Sequence, residues 1–327
     1  MTEAGADPAR AAVPVDMDGF RADRVVAGVF ALSRAAARQA IDSGRVTVAG
    51  SPIAAKDKLA AGTPLEVILP EAEGPLEPLE APLSIRYESD QVLVIDKPAG
   101  LVVHPGAGHR NDTLASILIY HYPELAQLEE QHRWGLVHRL DRDTSGLLLV
   151  GRNAEAHSDL QQQLKKRLIQ RTYLALVMAR VEPATGTIEA PIGRDPDHPT
   201  RMALRQDGRF ARTHYRRLDV WGDISLLEVK LETGRTHQIR VHLSSIGAPL
   251  AGDRTYGAKR RGRKLIDRVW LHAAKLTFRD PTDGDEKSVE SPLPPELLES
   301  LNALGETDDD TDADAGGPGD IYPGVPP

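Results

Sequence analysis

Residues Gly135 to Gly151 read G-L-V-H-R-L-D-R-D-T-S-G-L-L-L-V-G, and the two halves of this stretch behave oppositely. Leu147–Val150 is an unbroken apolar run bounded by glycines, the pattern of a strand buried on both faces. Ahead of it, His138, Arg139, Asp141, Arg142, Asp143, Thr144 and Ser145 place polar side chains at seven of eight positions. A polar loop feeding straight into a core strand is held rigidly by the sheet beneath it, a common place for chemistry. A plainer reading is a salt-bridged turn in which Arg139 and Arg142 neutralise Asp141 and Asp143. Spacing alone leaves both open.

Three further stretches bear on the choice: V-I-D-K-P-A-G-L-V-V-H-P-G (Val94 to Gly106), R-T-Y-L-A (Arg171 to Ala175) and G-R-T-H-Q-I-R-V-H-L (Gly234 to Leu243). Together with H-R-L-D-R-D-T-S-G, they closely resemble the motifs of the RluA/RluD-type pseudouridine synthases, in that family's order. The resemblance runs from about Phe20 to Pro295. It implies an α+β fold, a mainly antiparallel mixed central sheet with flanking helices and a cleft across it. It also implies that Asp141 stands at the family's catalytic aspartate.

The formal charge of −8 is unusual for a nucleic-acid binder until it is divided along the chain. From Gly305 onward there are seven acids and no Lys or Arg, so the remainder carries only −1. Residues 304–327 are therefore expected to be a disordered acidic tail, too poor in apolar groups to order itself. The absence of cysteine excludes thiolate zinc sites and a cysteine nucleophile, so any attack on a pyrimidine ring must come from oxygen. No apolar run approaches the roughly 18 residues that span a bilayer, and the N-terminus lacks a signal pattern. A soluble, cytoplasmic, monomeric protein is expected.

Taken in order, residues 1–18 are Ala-rich, weakly patterned and expected to be disordered. Residues 19–70 form a small module: Val25, Val29 and Leu32 at helical spacing, a second helix capped by Ser33 and ending at Gly44, then alternating Val46/Val48 and Leu65/Val67/Leu69. Arg34 and Arg38 share one helix face and Arg45 follows the turn. S-R-A-A-A-R-Q-A-I-D-S-G-R-V-T-V-A-G resembles the core of S4-type RNA-binding domains, which implies RNA contact through these arginines. Residues 71–82, rich in Pro and Glu, read as a semi-extended linker.

The large domain is expected over 83–303. Strand patterns recur at Leu83–Tyr87, Val92–Asp96, Leu147–Val150, Tyr173–Val177, His214–Val220, Leu226–Leu231 and Leu271–Phe278; helices are expected over Thr113–His121, Ala154–Leu168, Thr236–Ile246 and Glu296–Ala303. Basic clusters at Lys165–Arg171 and Lys259–Lys264 suit a polyanionic partner.

Conversion of uridine to pseudouridine breaks the C1′–N1 bond, turns the uracil and rejoins it through C5. Such an isomerisation requires no cofactor or metal. What it requires is a carboxylate, a cation near it and a pocket for the detached base. Asp141 can attack C1′ or C6, or remove a C2′ proton, and the residues do not choose among these. A carboxylate kept ionised in a partly dry pocket needs a cation beside it. On a helix opened by Thr236, the stripe Ile239, Leu243 and Ile246 faces the core, which turns Arg240 and His237 elsewhere, into the cleft. The family's matching arginine pairs with its aspartate.

The resemblance further implies that Tyr173 stacks on the target uracil, a contact worth about 1–3 kcal/mol per base. Arg139 is expected to fill the vacated stack or grip a phosphate, and His138 and His104 to brace loops. Lys97-Pro98-Ala99-Gly100 reads as a structural turn at the cleft wall. Ala248 stands where many relatives carry histidine, and Arg171 where lysine is frequent. Within the family the S4 module and H-P-G-A-G resemble most the D-type enzymes of large-subunit ribosomal RNA. The alternatives are a tRNA-directed relative, a non-catalytic RNA-binding assembly factor, and a metal-dependent nuclease using His138, Asp141 and His237.

Overall fold

The computed structural model describes residues 8–32, 34–68, 76–106, 109–128, 133–198, 200–257 and 265–305. The expected Ser33 cap, Leu69, linker residues 71–75, the basic loop Lys259–Lys264 and the tail from residue 306 lie outside the described residues. The chain divides into two compact units, Met1–Pro75 and Leu76–Pro327.

The first unit runs β1 (Ala9–Ala12), β2 (Phe20–Arg21), α1 (Ala22–Val29), α2 (Arg34–Asp42), β3 (Val46–Val48), β4 (Ser51–Pro52), β5 (Lys58–Leu59) and β6 (Pro64–Val67). An antiparallel sheet in the order β1-β6-β3-β4 packs its Val46, Leu65 and Val67 against Val25, Val26, Ala37 and Ile41 of the helices. Residues 9–18 are not disordered as their composition suggested. Ala9 pairs with Val67 and Ala12 with Pro64, and Val13 is buried. The physical reason is that β6 otherwise presents an unpaired edge, and backbone pairing to it does not depend on side-chain pattern.

In the second unit the main strands are β7 (Ile85–Glu88), β8 (Val92–Lys97), β9 (Ser145–Gly151), β10 (Gln170–Val177), β11 (Thr185–Glu189), then β12 (Ile192–Arg194) and β13 (Met202–Leu204) as a separate hairpin, β14 (Arg212–Trp221), β15 (Ile224–Leu231), β16 (Leu271–Arg279) and β17 (Glu286–Glu290). The nine-stranded sheet has the order β11-β14-β15-β10-β16-β9-β8-β7, with β17 also on β16. Among its described strand pairs only β16–β9 is parallel, so the sheet is mixed and mainly antiparallel, as expected of an α+β fold.

Alternation sorts the strand residues onto two buried faces. Leu93, Ile95, Leu148, Val150, Tyr173 and Ala175 share one core cluster with Leu114, Leu118, Ile239 and Leu243. Val92, Val94, Leu147 and Leu149 pack on the other side with Leu160 and Phe278, and Leu174 and Leu176 with Trp270, Leu297 and Leu301. The helices that cover these faces are α3 (Leu114–His121), α4 (Ala154–Lys165), α5 (Gln238–Ser245) and α6 (Pro295–Gly305). Thr113 Oγ1 accepts from Ser116 N at 3.3 Å and Asn153 Oδ1 from Ala156 N at 2.8 Å, two N-caps that set where α3 and α4 begin.

Several expected boundaries move. α4 stops at Lys165 because Arg167 turns into the left-handed region (φ 62°). α5 starts after His237, and Ile246 is exposed rather than core-facing because the helix has ended by Ser245. The linker is shorter than expected. Leu76 packs on the core, Leu79 N donates to Ser116 O, and His121 Nε2 bonds Ala81 O at 2.8 Å, so 76–82 belong to the second unit. At the other end α6 runs to Gly305 and buries Leu304, two residues the composition had placed with the tail.

Candidate active site

The loop His138–Thr144 is anchored from below and from both sides. Leu140 is buried in the core, and Thr144 N closes a turn on Asp141 O at 3.1 Å. At Gly146 the backbone has φ 109°, and a Cβ there would lie 2.3 Å from Ala273 O, so only glycine permits the close parallel approach of β9 to β16. Lys97 is fully buried and its Nζ donates to Pro98 O (2.7 Å), Leu101 O (2.9 Å) and Arg142 O (3.0 Å). Three carbonyls match the three N–H bonds of an ammonium. Burial nevertheless pulls its pKa down to about 7, against the charges of Asp143 and Asp141. The Lys97-Pro98-Ala99-Gly100 turn is thereby tied to the polar loop. Arg268 adds a second tie, donating to Asp143 O and Ser145 Oγ while pairing with Glu296 of α6.

Held this way, Asp141 reaches the open space with its side chain 19 % exposed and Oδ2 3.3 Å from Arg240 Nη1. Arg240 projects from α5, away from the Ile239 and Leu243 stripe. Its Nε and Nη2 bond Asp253 Oδ2 and Oδ1 at 2.8 and 2.9 Å, a bidentate pair to a fully buried carboxylate. Asp253 is itself set by the amides of Thr255 and Tyr256. Burial disfavours the Arg240 charge, but Asp253 and Asp141 more than offset it and its pKa is raised. The Tyr256 ring lies 5.0 Å from the guanidinium, and its hydroxyl accepts from Met202 N and is 2.8 Å from His237 Nδ1. Burial lowers the His237 pKa, so this imidazole is neutral near pH 7.

The start of α5 is pinned by Gln238, whose Oε1 accepts from Thr233 Oγ1 and Arg235 N while Nε2 donates to Arg212 O and Thr213 Oγ1. That arrangement carries His237 into the left-handed region (φ 55°) and turns the Gly234–Thr236 segment along the cleft. Tyr173, in the middle of β10, is buried on the same face.

Asp141, Arg240, Tyr173, Arg139, His138 and His237 all line one cleft of about 980 Å³. Arg139 is exposed at its wall, along with Arg133, Lys165 and Arg209, and Arg235 is half-buried there, a basic rim suited to a phosphate backbone. His138 lies beneath the loop, its Nε2 accepting from Leu149 N at 3.3 Å. Arg34, Arg38 and Arg45 belong to the first unit. Arg34 lies 3.5 Å from Asp23, Arg38 3.5 Å from Asp42, and Arg45 Nε bonds Ser43 Oγ at 3.1 Å.

Sequence reasoning missed Asp253 and Tyr256, whose only signal is a polar G-D-R-T-Y-G turn after apolar Leu250-Ala251. It also grouped Arg171 with surface cations, whereas the side chain is buried. Chemically, a carboxylate paired with a fixed guanidinium, a buried aromatic ring and a basic rim can hold an extruded base and act on its glycosidic bond.

The fold agrees with a class already seen in solved structures. Human RNA Pseudouridylate Synthase Domain Containing 1 superposes with a TM-score of 0.54 at 30% identity, covering 73% of this chain and 100% of that one. Residues 91–245 match the family model described as RNA pseudouridylate synthase. A ribosomal large subunit pseudouridine synthase D of Nitrosomonas europaea is 44% identical over 89% of this chain and 86% of its own length. One from Pseudomonas aeruginosa is 42% identical over 90% and 95%. The chain belongs to the RNA pseudouridylate synthase family, and it is an isomerase acting on RNA.

Proposed function

We propose that this enzyme converts specific uridines of large-subunit ribosomal RNA to pseudouridine, with Asp141 as the reacting carboxylate. The observation that carries the assignment is the 3.3 Å contact between Asp141 and an Arg240 already committed to Asp253, inside the cleft that Tyr173 lines. Arg240 pairs with the carboxylate and aims it. Tyr173 stacks on the uracil once it has left the helix, and Arg139 occupies the gap or grips a phosphate. His237 and His138 line the same pocket in neutral form. The ribosomal substrate is supported by the names of the Nitrosomonas and Pseudomonas relatives. In this reading the first unit is an S4-type anchor that contacts RNA through Arg34, Arg38 and Arg45, and the protein works as a cytoplasmic monomer.

The test is site-resolved pseudouridine mapping of ribosomal and transfer RNA from a deletion strain. Because the modification leaves mass unchanged, a chemical-adduct readout is used. Specific large-subunit sites are expected to vanish and to return with the wild-type gene but not with Asp141→Asn. Loss confined to transfer RNA would overturn the ribosomal assignment, and rescue by Asp141→Asn would overturn the role of Asp141.

A further inference from the structure

Among the described residues, one buried nitrogen on each of two cleft side chains lacks a hydrogen-bonded acceptor. Arg171, on β10, is only 7 % exposed, and its Nε is buried with no hydrogen-bond partner. Among the described residues no carboxylate pairs with it. Its side chain shares a strand face with Tyr173, two residues on. The other donor is His138. Its Nε2 accepts the Leu149 N–H, which puts its single proton on Nδ1; that nitrogen is buried and makes no hydrogen bond of normal geometry, although the Arg139 backbone carbonyl is near enough to favour its proton. Burial, helped by the Arg171 charge, keeps that imidazole neutral.

Room for the guanidinium is built into the chain. A Cβ at Gly234 would lie 2.8 Å from Arg171 Nη1, so the glycine that opens G-R-T-H-Q is the residue type that lets Arg171 lie there. Both donors line the cleft together with Asp141 and Tyr173. An unpaired buried cation and an unpaired buried N–H are each unfavourable in the free protein. Lining one substrate cleft, they describe a place for an oxygen acceptor that the substrate brings.

We propose that Arg171 and His138 form an acceptor pocket for a carbonyl oxygen of the target uracil, holding the base while it is detached from C1′. The proposal rests on the reading of this cleft as the uridine-handling site. When the C1′–N1 bond breaks, its electron pair stays with the base and spreads onto O2 and O4, where the two donors meet it. The base then turns, C5 bonds to C1′, and the proton lost from C5 is matched by one gained at N1. No co-reactant is consumed. A backbone phosphate offers the same acceptor chemistry. The exposed arginines of the rim suit it better than a buried pair on the strand face that bears Tyr173.

The experiment is single-turnover conversion at saturating RNA, using a ribosomal RNA fragment that carries a mapped target uridine. Wild type and Arg171→Met are compared on the unmodified fragment, on versions with 2-thiouridine or 4-thiouridine at the target, and on versions with a methylphosphonate flanking it. Sulfur accepts hydrogen bonds poorly, and a methylphosphonate removes the phosphate charge. Arg171→Met is expected to be about 100-fold slower with little change in RNA affinity. One thio substitution should slow the wild type and add nothing to the variant, while the methylphosphonates leave the ratio of the two enzymes unchanged. An unimpaired Arg171→Met, or an effect removed by the methylphosphonate instead, would overturn the proposal. The wild-type series stands without any variant: equal rates on uridine and both thiouridines would overturn it too. Asp141→Asn on the unmodified fragment reports separately, since activity there removes the underlying reading whatever Arg171 does.

Discussion

Asp253 holds Arg240 by two hydrogen bonds of 2.8 and 2.9 Å and leaves Nη1 of the same guanidinium 3.3 Å from Asp141. The buried carboxylate thus orients the cation that orients the partly exposed one. Asp253→Asn is expected to cost about 3–5 kcal/mol of stability, because it leaves a buried guanidinium short of its counter-charge. It should also slow turnover while leaving RNA affinity largely intact. Thermal melts and single-turnover rates check this, and a variant with wild-type rates would show that Arg240 needs no positioning.

Lys97 bridges the turn Pro98–Leu101 to Arg142 O through three hydrogen bonds. Lys97→Met fills the same volume but donates nothing. A loss of about 1–3 kcal/mol is expected, together with a lower kcat, since the loop that carries Asp141 loses a tie. Denaturant melts and kcat measured on one preparation test the pairing of the two effects.

The pKa of His138 is depressed to about 3 by burial, with the Arg171 charge adding to the effect, and that of His104 to about 4, again by burial. In the unfolded chain both titrate near 6.5, so below that pH the unfolded state binds more protons and stability falls with falling pH. The contribution is complete above about pH 6.5 and is lost on the way down through the folded values. His138 alone accounts for a slope of up to about 1.4 kcal/mol per pH unit in this window. His138→Gln is expected to flatten the dependence of the melting temperature on pH between about 6.5 and 4.5, and an unchanged slope would contradict the burial of this ring.

Gly146 meets Ala273 O so closely that a Cβ would stand 2.3 Å away, and its φ of 109° is strained for any other residue. Gly146→Ala is expected to destabilise the second unit by more than about 3 kcal/mol, the scale of an incompatible backbone plus a forced strand separation. Soluble yield and melting temperature report it directly.

Arg38 and Arg45 are both on the surface of the first unit, where Asp42 lies near the one and Ser43 near the other. If this unit anchors RNA, Arg38→Ala with Arg45→Ala should weaken binding and reduce the slope of log K against log salt by about 1 for each phosphate no longer neutralised. An unchanged slope would remove these two from the interface.

Much of the site was legible because its parts are local. The polar run His138–Ser145 ahead of apolar Leu147–Val150 and the helical stripe that turns Arg240 away from Leu243 are each written within a few residues. Even so, the stripe misled at Ile246, where the helix had already ended and the side chain is exposed.

By itself, then, the sequence determined the strand and helix periods, the motif loops and the residue types able to do the chemistry, because backbone period and side-chain capping act over three or four positions. Only the tertiary structure decided that Asp253, Arg240 and Asp141 form one chain of charge, with the last two 99 residues apart. It likewise decided that Arg171 is buried without an acceptor rather than solvated, and that Ala9–Ala12 is a strand. Those outcomes depend on which strand lies beside which and on what water can reach, and neither is written in the spacing of residues along the chain.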